Sequence, residues 1–305
     1  MADETAIGGM RRGEVLALVL TYNAPRNAAA CVAALNRQAR RPTNILVIEN
    51  AGTDRVDAAA LESSSEIPVT VVPLTENLGP AGGYAEGLRR AAASECDLIW
   101  LMDDDIEPDP TCLGELVTAL DAHDRTAVVL PESVDAETGE PSSTWGWCGA
   151  LVPRDLVDTI GLPIGELFYG FEDHEYLIAR ARHAGYPLVR ASSALVRLGR
   201  RPGKSRPAWH YYYLARNATF VYLYRPHGVP VAQRLKRMVR FHYGLFRTIF
   251  VHQTDLRLRR IGLYMRGVFD GVFKRLGKRV LPTDDRRPVL AFEHDTGSAS
   301  PRRAE

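Results

Sequence analysis

Five apolar residues, Leu98-Ile99-Trp100-Leu101-Met102, run straight into three carboxylates, Asp103-Asp104-Asp105. The apolar part cannot stay in water and reads as a buried strand. The acids then sit where that strand leaves the core, and three adjacent like charges near a low-dielectric interior repel one another. Two readings stand. The acids are a solvated acidic turn, or a cation or ligand groups relieve their repulsion. Hard divalent ions suit the second, since they are commonly held by one or two carboxylates plus substrate phosphates.

The same layout occurs three times upstream. Val15 to Leu20 is a continuous apolar run ending in Thr21-Tyr22-Asn23. Ile45 to Ile48 ends in Glu49-Asn50-Ala51-Gly52-Thr53-Asp54, and Val69 to Val72 leads into Glu76-Asn77-Leu78-Gly79-Pro80-Ala81-Gly82-Gly83. Segments of helical spacing lie between them, at Ala28 to Gln38, Val56 to Leu61 and Tyr84 to Ala93. Continuous apolar strands alternating with helices predict a doubly wound α/β domain with a mostly parallel sheet. In such sheets ligands bind beyond the carboxyl ends of the strands, where all four polar clusters fall. Neither a GxGxxG nor a GxxxxGK[ST] pattern is present, so neither a dinucleotide fingerprint nor a P-loop is supported. Gly79, Gly82 and Gly83 are expected in a loop that lets the backbone approach a ligand, or in a plain loop into a helix.

In order and spacing, Thr21-Tyr22-Asn23, Glu49 to Asp54, Asn77-Leu78-Gly79 with Gly82-Gly83, and Asp103-Asp104-Asp105 resemble the family 2 glycosyltransferases. The resemblance covers roughly Val15 to Tyr224 and is strongest to the bacterial branch of galactofuranosyl and rhamnosyl transferases. It implies a GT-A fold and inverting transfer of a sugar from a nucleotide diphosphate sugar, with UDP-galactofuranose or dTDP-rhamnose as donor. By that resemblance Thr21, Tyr22 and Asn23 frame the nucleoside, and Glu49 contacts the base where the family has Asp. Asn77, Gly79 and Gly83 line the nucleotide pocket, Asp103 lies against ribose, Asp104 near the sugar, and Asp105 on a divalent cation, Mg2+ or Mn2+.

Downstream, Pro110 to Ala122 is expected as a helix, Ala127 to Leu130 as a strand, and Ala136 to Ser143 as a surface excursion. Trp145 and Trp147 stand beside Gly146 and Gly149 in a strand-like run. They could stack on an acceptor sugar or belong to the core. Phe168-Tyr169-Gly170-Phe171-Glu172-Asp173 opens a segment of helical character that Gly185 would cap. An acid in a first turn complements the helix dipole. A carboxylate crowded by aromatics is also desolvated, which suits a general base. In the resembled family the aspartate of this Glu172-Asp173 pair deprotonates the acceptor hydroxyl, which maps to Asp173. Family members commonly place a metal-binding histidine after this helix. The matching segment Leu195 to Arg201 has none, which leaves His210 as the nearest alternative. Arg197, Arg200, Arg201, Lys204 and Arg206 could instead clamp the diphosphate. Tyr211 to Asn217 resembles a segment that supports the active site.

The chain has 305 residues, 46% hydrophobic and 25% charged, with a net charge of +1, so overall charge selects no partner. Its four cysteines have no metal spacing and are expected as buried free thiols. Residues 1–13 and 283–305 are expected to be disordered, around a catalytic domain at 14–225 and a basic amphipathic helical region at 226–282. In that last region arginines and lysines alternate with apolar residues. This suits helices on an anionic membrane surface, or helices packed on the domain with a solvated basic face. A nucleic-acid role is not indicated, as no recognition motif accompanies the charge. No window reaches the ~20 apolar residues of a membrane span. The expected place is the cytoplasm, peripheral to the inner face of the plasma membrane, and the expected acceptor a glycan or lipid-linked glycan. A nucleotidyltransferase and a non-catalytic membrane-associated scaffold are the rival functions.

Overall fold

The computed structural model describes residues 14–142, 146–199, 206–252 and 256–282. Trp145, Arg200, Arg201 and Lys204 lie outside the described residues, as do both expected disordered ends. The first half alternates as its apolar runs predict. Strand β1 is Val15–Thr21, helix α1 Pro25–Asn36, β2 Asn44–Glu49, α2 Ala58–Ser63, β3 Val69–Pro73, α3 Gly79–Ala92 and β4 Leu98–Asp103. These four strands are parallel, in the order β3-β2-β1-β4. The runs of β1, β2 and β4 are continuous because both faces are covered, while β3, at the sheet edge, is only partly buried. Val15, Ala17 and Val19 pack with Cys31, Val32 and Leu35 of α1. Leu16, Leu18 and Leu20 pack with Tyr84 and Leu88 of α3.

The second half adds antiparallel pairs to the mostly parallel sheet expected, so the whole sheet is mixed. β5 (Ile106–Pro108), α4 (Cys112–Asp121), β6 (Val128–Asp135), β7 (Pro141–Ser142), β8 (Leu151–Pro153), α5 (Arg154–Ile160) and β9 (Leu188–Leu198) complete the sheet. β8 runs antiparallel to both β4 and β6, β5 antiparallel to β9, and β6 parallel to β9. The expected surface excursion at Ala136 to Ser143 is exposed over residues 136–141 and turns back at its end as β7 on β6.

Between α5 and β9 lies α6, which is π-helical over His174–Arg180 and closes with an α turn at Ala181–His183. The expected cap follows, with Gly185 at φ +94°. Three longer helices end the described chain: α7 Ala208–Tyr224, α8 Val231–His252 and α9 Arg257–Val272. α9 lies hard against α7. A Cβ on Gly267 or Gly271 would collide with the carbonyl of Tyr212 or Arg216, so glycine is what lets the two backbones approach. The Tyr212 hydroxyl donates to Asp270 at 2.7 Å across the same contact.

Candidate active site

The chain order reverses at β1, with β2 and β3 on one side and β4 on the other, which makes the carboxyl ends of β1 and β4 the switch point of the sheet. Thr21 ends β1 and Asp104 follows β4, and the Thr21 hydroxyl donates to Asp104 Oδ2 at 2.7 Å. Asp103 Oδ1 accepts from the Tyr84 hydroxyl at 2.9 Å, and the Cys148 thiol lies 3.8 Å from its other oxygen. Burial pushes Asp104 up to about 6, against the Thr21 hydrogen bond, and the charges of Asp105 and Asp103 add to the rise.

A cavity of about 1420 Å³ opens at this point. One wall carries Thr21, Tyr22, Asn50, Asn77, Gly79 and Asp103 to Asp105. The facing lining comes from Phe168 to His174, Arg206, Trp209, His210 and α8. Residues far apart in sequence are thus brought to one space.

Several predicted residues brace the walls, some of them lining the cavity as well. Asn23, at φ +53°, accepts from the Thr53 and Asp54 amides at 2.6 and 3.0 Å and fastens the loop after β2. Asn77 accepts from the Gly79 amide at 2.8 Å in a local turn. The glycine stretch is not a loop but the first turn of α3. Gly79 has φ +67°, and a Cβ there would collide with the Phe168 carbonyl. Gly83 is buried, with Leu20 where its Cβ would be, so it seats α3 on the sheet and does not line the cavity. Glu49 is buried and accepts from the Val56 amide at 3.3 Å. Gly149 lies off the cavity, its carbonyl accepting from Trp100 Nε1 at 3.0 Å. Trp147 reaches the cavity, but one ring face is stacked on Tyr84 at 4.2 Å. Arg197 is paired with Asp109 at 2.9 Å and does not line the cavity.

Glu172 and Asp173 sit at the start of α6. Glu172 is 4% exposed. Trp147 Nε1 approaches its Oε1 at 3.4 Å, and Oε2 is buried without a hydrogen-bond partner. Asp173 caps α6, accepting from the His174 amide at 2.7 Å. Both carboxyls are pushed well above their ordinary range by burial, Glu172 further by the Asp173 charge and Asp173 by that of Asp103. Glu175, two residues on, is different. Burial would raise it, but hydrogen bonds from His227 and Arg180 and the charges of Arg180 and Arg225 outweigh that and hold it at about 2. It is absent from the cavity lining and anchors α6 from behind.

The approach to Asp173 is strained. Phe168, Gly170 and Phe171 have φ of +60°, +77° and +74°, and such clusters persist only where surroundings hold them. Here α7 holds them. Asn217 Nδ2 donates to the carbonyls of Leu167, Tyr169 and Gly170 at 2.9, 3.0 and 2.6 Å, and Arg216 donates to Glu166 and Leu167 at 3.1 and 2.7 Å. Gly146 was not anticipated. At φ +100° it lies where a Cβ would run into the Asp173 carboxylate, so glycine leaves room for that acid. Its position between two tryptophans was the available sequence signal. Cys148 was also missed, as a thiol three residues before a strand gives no sign of facing an acid.

The acids at the β4 end offer hard oxygen donors. Their mutual repulsion, visible at Asp104, is what a divalent cation would relieve. Among the described residues no group of three or more His, Cys, Asp or Glu is arranged as a full cage. The donor set therefore fits an ion held by one or two carboxylates and completed by a diphosphate. His210 lines the cavity, but its Nε2 lies 2.8 Å from Arg206 Nη1. A guanidinium only donates, so that nitrogen's lone pair is in use.

Residues 17–155 match the family model described as Glycosyl transferase family 2. The chain carries a family 2 glycosyltransferase domain. It is 28% identical over 204 residues to Galactofuranosyltransferase GlfT1 of Mycolicibacterium smegmatis, covering 57% of this chain and 67% of that protein. Against GlfT1 of Mycobacterium tuberculosis it is 35% identical over 91 residues, which span only 30% of each chain. S. aureus TarS 1-349 in complex with UDP-GlcNAc superposes with a TM-score of 0.63 at 15% identity, covering 85% of this chain and 80% of that one. Mannosyltransferase PcManGT from Pyrobaculum calidifontis, in complex with GDP-Man and Mn2+, gives 0.55 at 14% identity, covering 87% and 88%. The chain spans 49% of the longer TarS structure. These two structural likenesses bear on the fold: the glycosyltransferase domain has an α/β, GT-A-like architecture with a mixed sheet.

Proposed function

We propose that this chain transfers a sugar from a nucleoside diphosphate sugar to an acceptor hydroxyl with inversion, and that Asp173 is the general base. The observation that carries this is the meeting of Asp173 and the Asp103 to Asp105 segment in one cavity. Thr21, Tyr22, Asn50 and Asn77 border the nucleotide end. Asp105, with Asp103 or Asp104, would hold Mg2+ or Mn2+, which when bound neutralises charge on the departing diphosphate. Asp173 takes the proton of the attacking hydroxyl, and a raised pKa makes its carboxylate a stronger base near neutral pH. Glu172, with its unpartnered buried oxygen, keeps a proton and so spares Asp173 a second adjacent charge. The oxygen attacks the anomeric carbon opposite the diphosphate, and no covalent intermediate on the protein is required.

Similarity to proteins named as galactofuranosyltransferases favours UDP-galactofuranose as donor over dTDP-rhamnose, and a cell-surface glycan or lipid-linked glycan as acceptor. No described helix is long and apolar enough to cross a membrane. α8 and α9 nevertheless carry large apolar residues at the surface, among them Val239, Tyr243, Phe246, Phe250, Leu258, Met265 and Phe269. Lys236 of α8, which is off the cavity, and Arg259 of α9 are exposed as well. We assign this face to peripheral contact with an anionic membrane.

The test is nucleoside diphosphate release from UDP-galactofuranose and dTDP-rhamnose, with and without glycan acceptors and Mn2+. The expected result is acceptor-dependent release of UDP. Pyrophosphate release from a nucleoside triphosphate and a sugar phosphate, with no transfer, would contradict it.

A further inference from the structure

α8 turns one stripe into the cavity. Arg237, Arg240, Phe241, Gly244, Leu245 and Thr248 follow helical spacing and all line it, with Arg247 alongside. The opposite stripe, Leu235, Val239, Tyr243, Phe246 and Phe250, faces outward. The basic residues of this helix are therefore not simply its solvent face. No described carboxylate pairs with Arg237, Arg240 or Arg247, and neighbouring cations left unpaired repel one another. Gly244 leaves open space in the stripe between Arg240 and Arg247, since nothing lies within 4 Å of where its Cβ would be.

The stripe stands on the side of the general base. Arg237 acts electrostatically on His174, the residue after Asp173, and Phe241 packs on Phe171 with ring centroids 5.1 Å apart. The donor's diphosphate already has its place at the Asp103 to Asp105 end. The cavity, at about 1420 Å³, exceeds the ~300–1,000 Å³ of a pocket for one small ligand. A second cationic patch on the acceptor side calls for a second anion.

We propose that Arg237, Arg240 and Arg247 bind a phosphate or diphosphate group carried by the acceptor, and so set which acceptor hydroxyl reaches Asp173. Guanidinium forks match phosphate oxygens in pairs, which gives orientation as well as attraction. This assignment rests on the glycosyltransferase reading above.

The test is calorimetric titration of the full chain, saturated with UDP and Mg2+, with farnesyl diphosphate, inorganic pyrophosphate and farnesol. Farnesyl diphosphate should bind, and R237Q/R240Q/R247Q should weaken it about ten-fold or more, as expected for lost charged hydrogen bonds, while UDP affinity holds. The three side chains are exposed, so the substitutions should not disturb folding. Farnesyl diphosphate binding tighter than pyrophosphate assigns the phosphate to a lipid carrier, and equal binding assigns it to a free or polymer phosphate. Farnesol binding as well as farnesyl diphosphate, or a triple variant that loses UDP instead, would overturn the proposal. A wild-type chain that binds no UDP would overturn the glycosyltransferase reading with it.

Discussion

Glu172 and Asp173 are neighbours in sequence with different surroundings. Glu172 has a buried oxygen without a partner, whereas Asp173 holds the amide that opens α6. Burial raises both, so each favours its proton more in the folded chain than in the unfolded one. The stability contributed by such a group is present below its unfolded pKa and is lost as pH rises through the folded value. Glu172→Gln, which cannot ionise, should therefore raise Tm more at pH 9 than at pH 5. The gain should be on the order of 2 °C per kcal/mol relieved. A gain that does not change with pH would mean Glu172 is not titrating in a buried site. The acids themselves were legible in the sequence, because an acidic pair after Phe168, Tyr169 and Phe171 has few bland explanations. Gly146 was not, because its role depends on the chain folding back to set it against Asp173, a residue distant in sequence.

The segment that delivers Asp173 is built against local preference. Its positive-φ residues lie between a short 3-10 turn at Gly165–Leu167 and a π-helix, and π-helical turns are often found at functional sites. Asn217 is the brace. Asn217→Ala would strip hydrogen bonds from the carbonyls of Leu167, Tyr169 and Gly170, which should cost about 1–3 kcal/mol. We expect urea unfolding to show that loss and kcat to fall more than donor affinity. Unchanged kcat in a destabilised variant would show that the loop does not position the base. Sequence spacing indicated helix here, but apolar residues over two turns do not separate an α from a π winding. The same limit applies to Gly79 to Gly83, whose glycines suggested a loop. They are there because α3 sits too close to Leu20 and Phe168 for side chains.

For the whole molecule, the sheet's first half was legible because the runs of β1, β2 and β4 are continuous and covered on both sides. β5 and β8, three residues each, are too short to show a period, so the antiparallel pairing of the second half was not legible. The C-terminal charge pattern showed that α8 has two faces, but not that the arginine-bearing one turns inward. We expect co-sedimentation with vesicles containing phosphatidylglycerol, reduced in V239S/F246S/F250S; equal binding to neutral vesicles would remove charge from the account. Underlying all of this is a sheet rim and a braced helix start that bring the Asp103 to Asp105 segment and Asp173, the proposed base, into one cavity. Asp173→Asn tests that most directly, with transfer rate and UDP affinity measured on the same preparation. Loss of the base should lower kcat by about 10²–10⁴ with UDP affinity unchanged. A variant that turns over at the wild-type rate would contradict it.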